Sequence, residues 1–357
     1  MTAPLKNGIT VLVHEWVTGG GMAGAPLPAS WAAEGHAMRR AIAADFAGLP
    51  GIRVVMTLDD RLPDEPGPWT IFRVGGRTQE SDTWARRAAD ADWTVLIAPE
   101  TGGTLADCSR TLARRGGRSL GSTPEAIELA GDKLQLAAFL SDRGFPTPQS
   151  RRVVPSLPLP TDFPYPAVLK PIDGAGSVDT FLIPGPLLVP DEAKALPEAL
   201  LQPFLPGVPS SATFLIGPER QARLIAIGRQ RVEVQEGRFV YRGGILPDLE
   251  ASPAPVLAEA VESIRGLRGL VGVDFLRDHE RETVTILEIN PRPTTSYVGL
   301  AQLLPPGRLA KAWIDIVEGI HESADWPREG IVRSENSVTF DTDGTIDRMK
   351  EREASRE

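Results

Sequence analysis

The sequence contains a single cysteine, Cys108, among 357 residues. One thiol forms neither an intramolecular disulfide nor a thiolate metal cage, so a reducing compartment is the natural setting and the cytoplasm the expected location. No stretch approaches the roughly 18 uninterrupted apolar residues of a membrane-spanning helix. The first residues also lack a basic segment leading into an apolar run with a cleavage site. Positive charge is in short supply: 38 Lys and Arg stand against 47 Asp and Glu, a net charge of −9. That balance excludes a general affinity for nucleic acid or an anionic membrane surface, so any anionic ligand must meet cations placed locally. Internal repeats and low-complexity tracts are missing. What remains, 41% apolar and 24% charged residues, describes a globular protein with a substantial core, and the length allows two or three domains.

Within residues 1–120, the β-branched run 9–13 ends in His14-Glu15-Trp16 and a glycine cluster, Thr18-Gly19-Gly20-Gly21. That pattern predicts a buried strand entering a flexible loop. An Ala-rich helix over 30–46 and strands at 52–56 and 93–98 follow, giving βαβ units and a parallel, doubly wound layer. Ser122-Thr123-Pro124-Glu125 has capping-box spacing with Pro in the first turn, and Gly131-Asp132 opens a second helix that stops at Gly144. Residues 121–209 combine these linker helices with a proline-dense, mobile α+β lobe of short strands, one of them 167–170. Residues 210–330 read as antiparallel strands at 214–216, 223–227 and 238–241, an amphipathic helix over 255–267, and a hairpin of the apolar runs 270–276 and 284–289. The charged tail 331–357 either adds an edge strand at 337–340 or frays.

The hairpin carries the strongest chemical signal. Alternate residues of a strand share a face, so Glu288 and Asn290 point the same way. A symmetric turn about Arg281 sets Asp274 opposite Glu288. Two carboxylates and an amide, with no His or Cys, suit a hard cation such as Mg²⁺ that bridges to phosphates. The alternative, polar residues facing solvent, conflicts with the flanking Val, Phe, Leu and Ile, and unpaired acids in an apolar layer need a cation. Lys170 precedes a short glycine loop, Asp173-Gly174-Ala175-Gly176-Ser177, whose N–H groups could approach phosphate oxygens. Taken alone that is also an ordinary turn, and no Gly-Lys-Ser/Thr follows to make a Walker motif. The early glycines lack the spacing of a dinucleotide fingerprint. Lys133 in the first turn of a helix opposes the macrodipole at a cost of about 0.3–1 kcal/mol, which marks it as a site residue unless it is a solvated lysine. The apolar strip from Leu200 to Gly207 is either an interlobe linker or a hinge able to hold a flat aromatic ring.

Taken in order, a lysine at a helix start, a lysine with a glycine loop, an apolar hinge, and Asp with Glu-x-Asn-Pro-Arg on adjacent strands resemble the ATP-grasp superfamily over roughly residues 121–325. The resemblance implies an α/β and α+β chain, an ATP-grasp fold preceded by a Rossmann-like parallel-sheet domain. It implies that Lys133 and Lys170 contact ATP phosphates and that the loop of Asp173, Gly174, Gly176 and Ser177 closes over them. Gln202, Pro203, Phe204 and Leu205 would frame the adenine. Asp274, Glu288 and Asn290 would bind two Mg²⁺ ions, or Mn²⁺ in their place, with Arg292 near the transferred phosphoryl group. More closely, Glu34-Gly35-His36-Ala37-Met38 and the run Glu288 to Leu300 are similar to tyramine-glutamate ligases of methanofuran-type cofactor synthesis. The chain departs from the pattern at Gln202, where many relatives carry an acid, and at Pro209, where related D-alanine ligases place a ribose-binding acid. Ser210 or Ser211 would take that role.

The implied reaction has ATP phosphorylate a carboxylate, with glutamate the leading acid, and an amine such as tyramine or an amino acid attack the acyl phosphate. No protein nucleophile is needed, and Lys170, Arg292 and Arg231 would supply catalytic charge. Arg229 and Arg242 are further cations for substrate carboxylates, with a plain surface role as the alternative. His14 and Glu15 lie at the end of a strand where open α/β sheets bind ligands, and would contact a substrate or serve packing. No general base stands out. The expected partners are thus a small-molecule carboxylate and amine, with a homodimer left open. The competing readings are a carboxylate kinase and an ATP-binding subunit without turnover.

Overall fold

The β-branched N-terminal run forms β1 (Ile9–Glu15), buried along almost its whole length as a central parallel strand must be. In the computed structural model, residues 8–75, 77–174, 177–248, 254–320, 332 and 337–349 are described, without the side chains of 77–83, 254 and 348–349. α1 (Ala29–Ala47) leads to β2 (Ile52–Asp59), then β3 (Trp69–Val74), α2 (Arg77–Asp90), β4 (Trp93–Ile97) and α3 (Thr104–Arg114). The strands form a parallel sheet in the order β3–β2–β1–β4. β3 and α2 go beyond the sequence reading, because an edge strand that is half exposed shows no continuous apolar run. Strand order reverses between β1 and β4, and the crevice at their carboxyl ends is where such sheets bind ligands.

The expected flexible loop after β1 is instead a buried helical turn over Val17–Gly21. Glu15 accepts the backbone N–H groups of Val17 at 3.0 Å and Thr18 at 2.7 Å, which turns the chain back on itself. A Cβ at Gly19 would come within 2.6 Å of the Thr57 hydroxyl, so the close approach itself requires glycine.

α4 (Pro124–Gly131) starts from Thr123, whose hydroxyl accepts the Ala126 N–H, one residue later than the Ser122 spacing suggests. α5 (Lys133–Ser141) is capped by Asp132, which accepts from Leu134 at 3.0 Å and Gln135 at 2.9 Å. Next come β5 (Arg151–Val153), β6 (Ala167–Lys170), β7 (Phe181–Ile183), α6 (Asp191–Lys194) and β8 (Ala199–Pro203), a small lobe packed around Leu159, Phe163, Leu169, Phe181 and Leu201. The first half of the 200–207 strip, 200–203, is therefore not a free linker but part of β8, paired with β6 on one side and β5 on the other.

β9 (Val208–Ile216), β10 (Ala222–Gln235), β11 (Arg238–Leu246), α7 (Ala254–Ser263), β12 (Gly269–Asp278), β13 (Thr283–Asn290), α8 (Ser296–Leu303) and α9 (Arg308–Val317) build the larger lobe. β14 (Ser337–Phe340) adds to the edge of β11 as expected and pairs with β15 (Ile346–Met349). The sheet runs β13–β12–β9–β10–β11–β7–β6–β8–β5, and the small lobe joins it by one register pair, Arg238 with Phe181. The parallel sheet and the larger lobe share one core: Val13, Ile42 and Phe46 pack in the same cluster as Leu215, Tyr297 and Trp313. Buried Asp45 on α1 ties them, accepting from the Tyr297 hydroxyl at 2.7 Å and from the N–H groups of Gly307 and Ala310 at the start of α9. No helix among the described residues is long and apolar enough to cross a membrane.

Candidate active site

Asp274 lies directly opposite Glu288 in the β12–β13 ladder, though not by a symmetric turn. Asp278 pairs with Thr283, so the hairpin folds between Glu280 and Arg281, which alone would set Asp274 against Leu287. A bulge between Asp274 and Phe275 absorbs Leu287 and restores the Glu288 pairing. Asn290 is buried on the same strand end and donates its amide N–H to Asp274 at 3.1 Å. Gln230 of β10 donates to the other Asp274 oxygen at 2.9 Å. Burial, and then the Glu288 charge, push the Asp274 carboxyl up to about 7.

Lys133, the first residue of α5, is buried rather than solvated. Its ammonium lies 3.1 Å from Glu288 and donates to the Gly174 carbonyl, which offsets the unfavourable end of its helix. Its backbone N–H bonds the Ile172 carbonyl at 2.9 Å, fixing the glycine loop against the helix start. Lys170, the last residue of β6, is drawn down to about 8 by burial, with Glu288 and Asp274 pulling it up and Lys133 down. Two lysines and two carboxylates thus face each other across the lobes. Arg292, just past β13, makes a two-pronged ion pair with Glu100, at 2.8 and 3.0 Å.

Other sequence expectations land differently. Asp173 accepts the Gly102 N–H at 2.9 Å, tying the glycine loop to the parallel-sheet domain, and Ser177 lies past Gly176, which is outside the described residues. Gln202 is buried and donates to the Ser150 hydroxyl at 2.8 Å, so its side chain faces Ser150 rather than an adenine plane. Pro203 ends β8. Phe204 is exposed, its ring 6.3 Å from that of Phe239, and its N–H is taken by the Pro166 carbonyl at 2.9 Å. Half-buried Leu205 follows. The Ser210 expectation is corrected: the residue is fully buried and donates to the Val208 carbonyl at 3.1 Å, so it does not present its hydroxyl to a ligand. Arg231 makes an ion pair with Asp341 of the tail at 2.6 Å, and Arg242 pairs with Glu233 on the surface at 3.3 Å.

Sequence reasoning missed Gln230 and Glu100. Glu100 had a usable signal, since it stands just beyond β4 at the carboxyl edge of the parallel sheet, the same location that singled out Glu15. Among the described residues no three His, Cys, Asp or Glu side chains group as a metal site. The set here is two carboxylates and an amide, and the chemistry of facing, desolvated carboxylates fits a hard divalent cation, with the Asn290 amide turned to offer its oxygen.

The description "ATP-grasp domain" matches residues 130–296, and "pre ATP-grasp 3 domain" matches 52–127. The chain is similar to the tyramine–L-glutamate ligase of Methanocaldococcus fervens, 28% identical over 212 residues, 58% of this chain and 61% of the relative. The ligase of the same name from Methanocaldococcus jannaschii is 26% identical over 215 residues, 60% of each chain. The match therefore spans about 60% of the length of these relatives. An ATP-grasp superfamily protein from Archaeoglobus fulgidus superposes with a TM-score of 0.67 at 20% identity, covering 94% of this chain and 92% of that one. An L-amino acid ligase from Bacillus licheniformis gives 0.60 at 13% identity, covering 94% and 80%. The chain thus has the ATP-grasp fold, with an ATP-grasp domain over 130–296 preceded by a pre-ATP-grasp domain over 52–127.

Proposed function

We propose that the protein is an ATP-dependent ligase that joins a carboxylate to an amine through an acyl phosphate, with glutamate as the acid and tyramine or an amino acid as the acceptor. The arrangement of buried Lys133 and half-buried Lys170 against Asp274 and Glu288 carries this reading. Such a four-charge cluster, closed between two lobes, matches the alternating needs of a triphosphate and its metal.

In this reading Lys133 and Lys170 hold phosphate oxygens, with Asp173, Gly174 and Ser177 beside them. Leu205 makes no backbone hydrogen bond among the described residues and offers its N–H to the adenine edge. Asp274, Glu288 and Asn290 hold Mg²⁺, or Mn²⁺, which when bound offsets the charge of the phosphates. Arg292, immobilised by Glu100, presents its remaining N–H edge toward the acyl phosphate. The substrate carboxylate attacks the γ-phosphorus of ATP and ADP leaves. The amine nitrogen, in its neutral form, then attacks the acyl carbon, the C–O bond to phosphate breaks, and the proton lost from nitrogen leaves with the phosphate. Lobe closure keeps water from the acyl phosphate.

The support from named relatives is their activity on tyramine and L-glutamate. The test is ADP release with Mg²⁺, ATP and L-glutamate across a panel of amines and amino acids. Amine-dependent ADP and amide formation is expected, lost in Glu288→Ala with an unchanged circular dichroism spectrum. ADP formation that is indifferent to every amine would replace the ligase by a carboxylate kinase.

A further inference from the structure

Asp274 has both carboxylate oxygens occupied, and by different residues. Oδ2 accepts from the Asn290 amide at 3.1 Å and Oδ1 from the Gln230 amide at 2.9 Å. Its neighbour Glu288 is met at one oxygen by the Lys133 ammonium, 3.1 Å away. Asn290 and Glu288 belong to the donor set that fits a hard cation; Gln230 does not, and its contact with Asp274 has no role so far.

The two amides reach Asp274 from opposite sides. β12 lies between β13, which carries Glu288 and Asn290, and β9, with β10 beyond it. Asp274 pairs with Ser211 of β9, and Ser211 pairs with Gly228 of β10, so these three residues share one face of the sheet. Gln230, two residues past Gly228, lies on that face as well. Its side chain therefore crosses β9, bridging two strand spacings or about 10 Å, to meet the carboxylate. A cation shared by Asp274, Glu288 and Asn290 sits on the β13 side, where Oδ2 points. Turning the Asn290 amide to offer its oxygen releases Oδ2 to the cation. The Gln230 bond to Oδ1, on the far side, need not break. Rotating the carboxylate to bring Oδ1 round to the same cation breaks that bond.

We propose that Gln230 is a positioning residue that restricts Asp274 to ligation through one oxygen and thereby makes the site prefer Mg²⁺ over Ca²⁺. This rests on the metal assignment within the ligase reading above. Mg²⁺ takes a tight octahedron of oxygens, which carboxylates offering one oxygen each suit, whereas Ca²⁺ accepts a carboxylate through both oxygens in a larger and looser shell. Partners that orient a ligating side chain carry about ten- to a hundredfold in metal affinity.

The test is calorimetric titration of a nonhydrolysable ATP analogue into the wild type and into Gln230→Met, a side chain of similar length without N–H donors. Each titration is run in saturating Mg²⁺, in saturating Ca²⁺ and in EDTA. The wild type should bind the Mg²⁺ complex more tightly than the Ca²⁺ complex. In Q230M the Kd in Mg²⁺ should rise, and the ratio of the Kd in Ca²⁺ to the Kd in Mg²⁺ should fall about tenfold, because the freed Oδ1 can join the shell of the larger ion. Equal affinity for the two complexes in the wild type overturns the assignment. So does a ratio unchanged in Q230M, including a loss shared evenly by both ions, which is what a merely structural role gives. A wild type that binds the analogue no better in Mg²⁺ than in EDTA rejects the metal assignment itself and Gln230 with it. A Mg²⁺-dependent wild type with an unchanged ratio in Q230M rejects Gln230 alone. Should Q230M fail to fold by circular dichroism, Gln230→Asn, whose amide is one methylene too short to cross β9, is read the same way.

Discussion

Lys133 shows how a residue misplaced for its own helix suits the molecule. A cation at the amino end of α5 opposes the macrodipole, yet Glu288 and the Gly174 carbonyl surround its ammonium. Replacing Lys133 with Met should therefore help the isolated helix while lowering ATP turnover about a hundredfold or more, measured as coupled ADP release. Arg292→Lys keeps the charge but loses the two-pronged grip on Glu100, and kcat should fall about tenfold or more. His14 supplies a pH signature. Its ring stacks on Trp84 at 4.7 Å, its Nδ1 lies 2.7 Å from the Thr57 hydroxyl, and burial, then the Arg39 charge, lower it from 6.5 to about 3. The unfolded chain protonates His14 below 6.5 while the folded chain does so only near 3, so stability falls as the pH drops through that window. The His14 contribution approaches 1.4 kcal/mol per pH unit, about the most one proton can give. Urea unfolding across pH should show a shallower slope for His14→Asn than for the wild type; equal slopes would assign the proton uptake elsewhere.

The β12–β13 hairpin and α1 act as whole elements. Alternation brings Glu288 and Asn290 to one face, but the bulge at Leu287, not the turn, determines which residue meets Asp274. α1 bonds the parallel-sheet domain to the larger lobe through Asp45, which serves as a distant cap for α9 as well as a partner for Tyr297. Asp45→Ala should destabilise the protein by about 2 kcal/mol or more, since buried donors lose a charged acceptor and α9 loses its cap. Thermal unfolding measures this directly. A change of a few tenths would mean that water replaces the carboxylate without cost.

Across the whole molecule, the larger lobe and the parallel sheet share a core, whereas β7 meets β11 at a single register pair. Two backbone bonds reinforce that seam, Leu182 to the Gly237 carbonyl at 2.7 Å and Phe239 to the Thr180 carbonyl at 2.9 Å. A seam this narrow is the natural axis for closing the small lobe over a nucleotide. Mg²⁺ with a nonhydrolysable ATP analogue should reduce the radius of gyration in solution scattering. At a hundred times its Kd it should also add about 2.7 kcal/mol of stability. Stabilisation without contraction would place the nucleotide in a cleft that is already closed.

Local grammar was enough to bring Glu288 and Asn290 to one strand face near Asp274, because strand alternation and hairpin adjacency act over a few residues, but the exact Asp274–Glu288 pairing depends on a bulge that the spacing does not show. Lys133 and Lys170 were legible for the same reason, one from a helix cap and one from a strand running into glycines. Glu100 and Arg292 stand 192 residues apart, Gln230 and Asp274 stand 44 apart, and no spacing rule links either pair. Their encounters, like the retreat of Ser210 into the core and of Arg231 onto Asp341, depend on how sheets and lobes pack. Packing is set by side-chain volume and burial summed over distant segments, and a one-dimensional pattern does not contain that sum.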